Sequence, residues 1–253
     1  MIFQQTQDPD SKTYTYLLAD PVSREAVLID PVLSRVEHDV ALIEELGLKL
    51  LYTLDTHVHA DHVTGAHALR ERLGARTVVG AAAGVACADI MVANGDVLKF
   101  GSCGVEARAT PGHTAGCTTY VTLDHTRAFT GDALLIGRCG RTDFQEGDAA
   151  TLYASVHREI FVLPDDCEVF PGHDYSGQTS STVGRERREN ARLGGGRTVE
   201  EFVDIMDALD LAYPRHIDAA LPANRQCGRA EPIVDEASGW TIQPLPRPSS
   251  AGA

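Results

Sequence analysis

The feature that most constrains this chain is His57-x-His59-x-Asp61-His62, three imidazoles and a carboxylate within six residues, directly after the apolar stretch 49–54. That stretch, Lys-Leu-Leu-Tyr-Thr-Leu, reads as a buried strand. In extended chain, residues two apart project to the same side, so His57 and His59 can converge on one point. Asp61 and His62 lie just past the turn and can face an adjacent point. Imidazole and carboxylate together form a ready set of metal ligands.

Three further candidates stand in similar settings downstream: His113 in Thr110-Pro111-Gly112-His113, Asp132 in Phe129-Thr130-Gly131-Asp132, and His173 in Phe170-Pro171-Gly172-His173. Each follows a β-like segment and sits beside glycine, which lets the backbone turn sharply and present the next side chain at the rim of a sheet. The rest of the chain alternates strand and helix patterns. A hairpin is expected at 14–18 and 26–29, with a turn at Asp20-Pro21-Val22-Ser23. A helix follows, for which Ser34 and Glu37 spell a capping box. A second helix is expected over 65–73, strands over 76–79, 97–100, 105–109, 118–123, 127–130 and 168–170, and helices over 149–161, 184–191 and 198–209. Interleaved strands and helices predict one α/β domain over residues 1–231, with a Pro/Ser-rich tail, 232–253, lying loosely on the surface.

Composition narrows the partners. With 22 Lys and Arg against 36 Asp and Glu, the formal charge is −14. That argues against nucleic acid, which needs a basic stripe, and against attachment to an anionic membrane by charge. No apolar run approaches the ~20 residues of a membrane span. The opening Met1-Ile2-Phe3-Gln4-Gln5 has no leader pattern, so a cytoplasmic location is expected. Six scattered cysteines without a Cys-x-x-Cys pair argue against a disulfide framework and fit a reducing compartment. Cys139 and Cys227 read as small packed side chains, with Cys227 also open to oxidation as a partly exposed thiol.

The set His57, His59, Asp61, His62, His113, Asp132 and His173 resembles the metallo-β-lactamase superfamily, which implies an αββα sandwich with the metal site on one edge. The stretch Gly137-Arg138-Cys139-Gly140-Arg141-Thr142-Asp143-Phe144-Gln145 is similar to the corresponding loop of the persulfide dioxygenases, the ethylmalonic-encephalopathy-protein family. The similarity continues through 151–157, His173-Asp174-Tyr175, 181–183 and Pro222-Ala223-Asn224. The family commonly has Arg-Gly where this chain has Gly137-Arg138, with Arg141 in register.

That resemblance implies one Fe(II) per chain, held by His57, His113 and Asp132, a two-histidine, one-carboxylate triad with open positions for substrate and O₂. It places His59, Asp61, His62 and His173 around the ligands as catalytic residues that orient them and handle protons. The implied substrates are glutathione persulfide and O₂, and the products sulfite and glutathione. Arg141 is expected to grip a glutathione carboxylate through its planar fork. Tyr175 is expected to serve both binding and catalysis by donating a hydrogen bond to the persulfide sulfur. A homodimer is implied as well. Two alternatives use the same residues: a glyoxalase II-like hydroxyacylglutathione hydrolase with two metals, and a non-catalytic metal-binding protein on this fold.

Overall fold

A computed structural model describes residues 1–229, together with a short strand pair, Val234–Asp235 against Trp240–Thr241. The remainder of the expected tail lies outside the described residues. The first sheet carries β1 (Ile2–Gln7), β2 (Tyr14–Ala19), β3 (Glu25–Ile29), β4 (Lys49–Leu54), β5 (Arg76–Gly80) and β6 (Ile90–Val92), in that spatial order. β1 to β3 pair antiparallel, and β3 to β6 pair parallel. The parallel steps need crossovers, and α1 (Val36–Glu45) and α2 (Ala66–Leu73) supply the first two.

The second sheet holds β7 (Val97–Phe100), β8 (Cys103–Ala109), β9 (Thr118–Thr122), β10 (Arg127–Gly131), β11 (Glu168–Pro171) and β12 (Ser181–Thr182), in the order β12-β11-β10-β9-β8-β7. Its helices are α3 (Ala149–Ser155), which runs on into one π-helical turn (Val156–Ile160), then α4 (Val183–Glu189) and α5 (Val199–Asp207). A last helix, α6 (Ile217–Asn224), crosses to the metal-ligand edge.

Strand alternation builds the four layers. Along β2, Tyr14, Tyr16 and Leu18 face the second sheet and join Phe100, Tyr120, Phe129 and Phe170 in the central core. Leu17 and Ala19 face the other way, under Val36, Val40 and Ile43 of α1 and Leu69 of α2. On the far side, Val121, Ala128 and Val169 of the second sheet pack beneath Leu152, Val183 and Phe202. Each large apolar side chain among them contributes about 1.5–3 kcal/mol by leaving water. Helix on sheet, sheet on sheet and sheet on helix give the expected αββα sandwich.

The Ser34–Glu37 capping box does not form. Ser34 falls in a 3₁₀ turn ahead of α1, and its hydroxyl donates to Asp8 Oδ1 at 3.0 Å. Arg35 is left at the N-cap with no side-chain cap bond. A real capping box sits on α5, between Thr198 and Glu201.

The cysteine reading also needs correction. Cys87 and Cys227 form a disulfide, with Cα atoms 6.1 Å apart. Cys227 is therefore a buried half-cystine and not a partly exposed thiol. Among the described residues Cys103, Cys117, Cys139 and Cys167 are free, and Cys139 packs against Met206 as a small apolar side chain.

Candidate metal centre

The C-terminal ends of β3, β4, β8, β10 and β11 open on one edge of the sandwich, and the seven residues expected to converge leave the last four of these strands. The connecting glycines have identifiable reasons. Gly112 has φ +132°, and a Cβ there would lie 2.3 Å from the Leu152 backbone. A Cβ on Gly172 would lie 2.5 Å from Asp132 Oδ1, so only glycine lets the His173 strand pass the carboxylate.

Donor atoms of His57, His113 and Asp132 all lie within 4.8 Å of one another. Hydrogen bonds decide which ring nitrogen each histidine turns inward. Thr56 Oγ1 gives its proton to Asp30 Oδ2 at 2.8 Å, so it must accept at its 3.0 Å contact with His57 Nδ1. The proton is thus on Nδ1, and His57 Nε2 keeps its lone pair. His113 Nδ1 donates to the Arg141 carbonyl at 2.6 Å, leaving Nε2, 3.8 Å from Asp132 Oδ2, as the free donor. Burial, with His59 and His113 nearby, holds His57 well below its ordinary pKa and so in the neutral form a ligand requires. Burial works against the Asp132 carboxylate, yet His173, His113 and His57 keep it ionised. The three fit a metal ion that takes nitrogen and oxygen donors.

The other four histidine-cluster residues are committed differently. His173 donates from both ring nitrogens, Nδ1 to Asp132 Oδ1 at 2.8 Å and Nε2 to Asp61 Oδ2 at 3.0 Å. Burial opposes the charge this requires, but the two carboxylates outweigh it and raise the His173 pKa well above its usual value. His62 Nδ1 also donates to Asp61 Oδ2, at 3.0 Å. His59 donates from Nε2 to Asp30 Oδ1 at 3.1 Å. Burial would depress its pKa, and Asp30 instead raises it to about 9. His59, Asp61 and His62 form a second donor group within 4.8 Å, in which His59 Nδ1 and His62 Nε2 are buried without a hydrogen-bond partner.

Arg141 does not hold its fork open for a substrate. Nε and Nη2 donate to Asp143 at 2.6 and 2.7 Å, Nη1 donates to the Ala212 carbonyl at 2.8 Å, and the guanidinium lies 4.5 Å over Phe144. Its side chain braces the loop, and its backbone carbonyl is what orients His113. Arg141, Asp143, Val203, Met206 and Leu211 line a cavity of about 600 Å³. Arg138, by contrast, is exposed and has no side-chain hydrogen bond or ion pair among the described residues. Tyr175 is 67% exposed and stacks parallel to His173 at 6.1 Å, as its place in the sequence suggests.

Three supporting residues were given no role by the sequence reading, although Asn224 lies in the Pro222-Ala223-Asn224 stretch. Asp30 accepts from Thr56 N, Thr56 Oγ1 and His59 Nε2. Asn224 accepts from Thr64 N and donates to the carbonyls of His59 and His62, each at 2.8–2.9 Å. Thr13 reaches Asp61 Oδ2 at 2.9 Å. Asp30 had a signal, an acidic residue closing an apolar strand before proline; Thr13 had none.

Residues 9–173 match the model of the metallo-beta-lactamase superfamily. The chain is 54% identical over 233 residues to the mitochondrial persulfide dioxygenase ETHE1 of Bos taurus, spanning 92% of this chain and 91% of that protein. Identity to the Homo sapiens protein of the same name is 54% over 235 residues, with the same shares covered. The crystal structure of ETHE1 from Myxococcus xanthus is similar with a TM-score of 0.87 and 49% identity, covering 90% of this chain and 100% of that one.

Proposed function

The chain belongs to the metallo-beta-lactamase superfamily and, within it, to the persulfide dioxygenases, and on that premise we propose that it oxidises glutathione persulfide at one iron held by His57, His113 and Asp132. The products are sulfite and glutathione, with O₂ and water consumed. The observation that carries the one-metal reading is His173: with both ring nitrogens donating to carboxylates it offers no lone pair, and three ligands on one face remain.

Iron(II), when bound there, supplies electrons to dioxygen and neighbouring positions for sulfur and oxygen. The protein supplies the rest. Asp30 and Thr56 fix the His57 ring, and the Arg141 carbonyl fixes His113, so both Nε2 lone pairs are aimed before substrate arrives. His173 holds one oxygen of Asp132, which leaves the other for the metal. Tyr175, on the mouth beside His173, donates a hydrogen bond from its hydroxyl to the persulfide sulfur. Arg138, exposed and unpaired among the described residues, receives a glutathione carboxylate. Arg141 can do so only by releasing Asp143.

The two-metal hydrolase is kept as a second reading because His59, Asp61 and His62 form their own donor group. One experiment separates the two. Protein purified without oxygen should hold about one iron per chain and consume O₂ with glutathione persulfide. Asp132→Ala should lose both properties, and zinc-loaded protein should be folded and inactive. If iron-free zinc protein instead hydrolyses S-lactoylglutathione efficiently while consuming no oxygen, the hydrolase reading replaces this one.

A further inference from the structure

Asp61, His62 and His173 would be natural ligands for a second ion, yet a hydroxyl stands among them. Thr13, just ahead of β2, is fully buried. Its Oγ1 lies 2.9 Å from Asp61 Oδ2, 3.1 Å from His62 Nδ1 and 3.1 Å from His173 Nε2. Side chains from two strand ends and the His cluster thus meet at one oxygen, as ligands meet at an ion. Asp61 Oδ2 accepts from Thr13, His62 and His173 together, so its lone pairs on that side are fully engaged.

The hydroxyl is also held in place. Thr13 pairs with His173 through a backbone bridge, and the Thr13 carbonyl accepts from Asp8 N at 2.9 Å. The next residue ties down the same turn, with Tyr14 N donating to the Gly172 carbonyl at 2.8 Å. Ser11 Oγ donates to Asp8 Oδ2 at 2.9 Å and accepts from Thr13 N at 3.3 Å, which fixes the backbone on the other side. To seat a divalent ion at that point the protein would have to displace a buried hydroxyl whose backbone is fixed on both sides.

We infer that Thr13 sets the metal number at one, its hydroxyl taking the place of a second ion among Asp61, His62 and His173. The inference rests on the one-metal reading above and names the residue that enforces it. The ligating atoms already face that point, with Asp61 Oδ2, His62 Nδ1 and His173 Nε2 at 2.9, 3.1 and 3.1 Å from the hydroxyl oxygen. Removing the hydroxyl therefore opens a position with nitrogen and oxygen ligands already around it.

The test is a metal count. Metal-free wild type, Thr13→Ser and Thr13→Ala are titrated with Zn²⁺ against a chromophoric chelator, desalted and analysed for zinc per chain, with circular dichroism reporting the fold. Wild type and Thr13→Ser should stop at one zinc, and Thr13→Ala should take two. The cobalt-substituted Thr13→Ala protein should show the spectroscopic signature of a coupled pair. A folded Thr13→Ala protein with one zinc overturns the inference and leaves the one-metal reading standing. Two zinc ions in wild type overturn that reading itself. If metal-free Thr13→Ala is unfolded, it is refolded in excess Zn²⁺ and desalted before the same count, with the same two outcomes.

Discussion

At the scale of single residues, two arginines three positions apart in the same loop divide their labour. Arg141 is spent on Asp143, the Ala212 carbonyl and the face of Phe144, whereas Arg138 is exposed and unpaired among the described residues. Arg138→Ala should therefore raise KM for glutathione persulfide about tenfold, the loss of one exposed charged hydrogen bond, with kcat and melting temperature unchanged. Arg141→Ala should instead cost about 1–2 kcal/mol of stability, read as a lower melting temperature, and reduce kcat through the His113 ring that its loop orients. Steady-state kinetics and thermal melts on the two variants check this. An unchanged KM in Arg138→Ala would return carboxylate binding to Arg141. The sequence showed the residue types and the ring of candidate ligands, because strand ends followed by glycine are local patterns. It did not show that Asp143 closes on Arg141, since an exposed ion pair leaves no periodic trace. Nor did it show Thr13 or Asn224 reaching the His cluster across 48 and 162 positions of chain.

Among the elements, α1 carries a buried charge that costs stability. Asp39 is 1% exposed, and its Oδ2 has no hydrogen-bond partner among the described residues. Burial raises its pKa to about 6, against the lowering pull of His38 and Arg35. The folded protein thus holds this proton more tightly than the unfolded chain. Stability falls as pH rises from the ordinary aspartate value of 3.8 to about 6, and the loss is complete above that. Asp39→Asn should raise stability at pH 7–8, by an amount of order 2 kcal/mol read as a higher melting temperature, and change it little near pH 4. A melt series across pH shows it; a wild-type slope retained in the variant would place the proton elsewhere. The helix was legible from Val36, Val40 and Ile43, which make its buried stripe. Its start was misread because Ser34 had a better partner in Asp8. β1 was missed because Gln4, Gln5 and Gln7 break the apolar signal of an edge strand that nonetheless buries Phe3 against Phe170 at 4.9 Å. α6 was missed because Pro222 sits inside it, and β6 because three residues are too few to show a period.

For the molecule as a whole, the disulfide does what no local pattern announces, joining positions 140 residues apart. Cys87 follows β5 of the first sheet, and Cys227 closes the turn after α6. Between them α6 carries Asn224, whose amide holds the His59 and His62 carbonyls and the Thr64 N–H. Next in the chain, Gly228 packs so closely on the Thr64 carbonyl that a Cβ would lie 2.2 Å from it. The bond therefore pins the helix that shapes the metal loop to the sheet from which that loop emerges. Closing so long a loop in the unfolded chain removes entropy worth about 5 kcal/mol in the chain-entropy account, an upper figure for what the bond can add. Reduction, or Cys87→Ser, should lower the melting temperature while leaving the distant core of Val121, Leu152 and Phe202 intact. Hydrogen exchange should quicken first at Thr64 N, because the Asn224 acceptor loses its anchor. Alkylation of the unfolded protein without reductant should label four of the six cysteines in the oxidised form and all six once reduced. The measurements to make are melts with and without reductant, followed by exchange at Thr64. Equal melting temperatures and equal exchange would mean that packing alone holds α6, with the sulfur–sulfur bond adding no constraint to the metal loop.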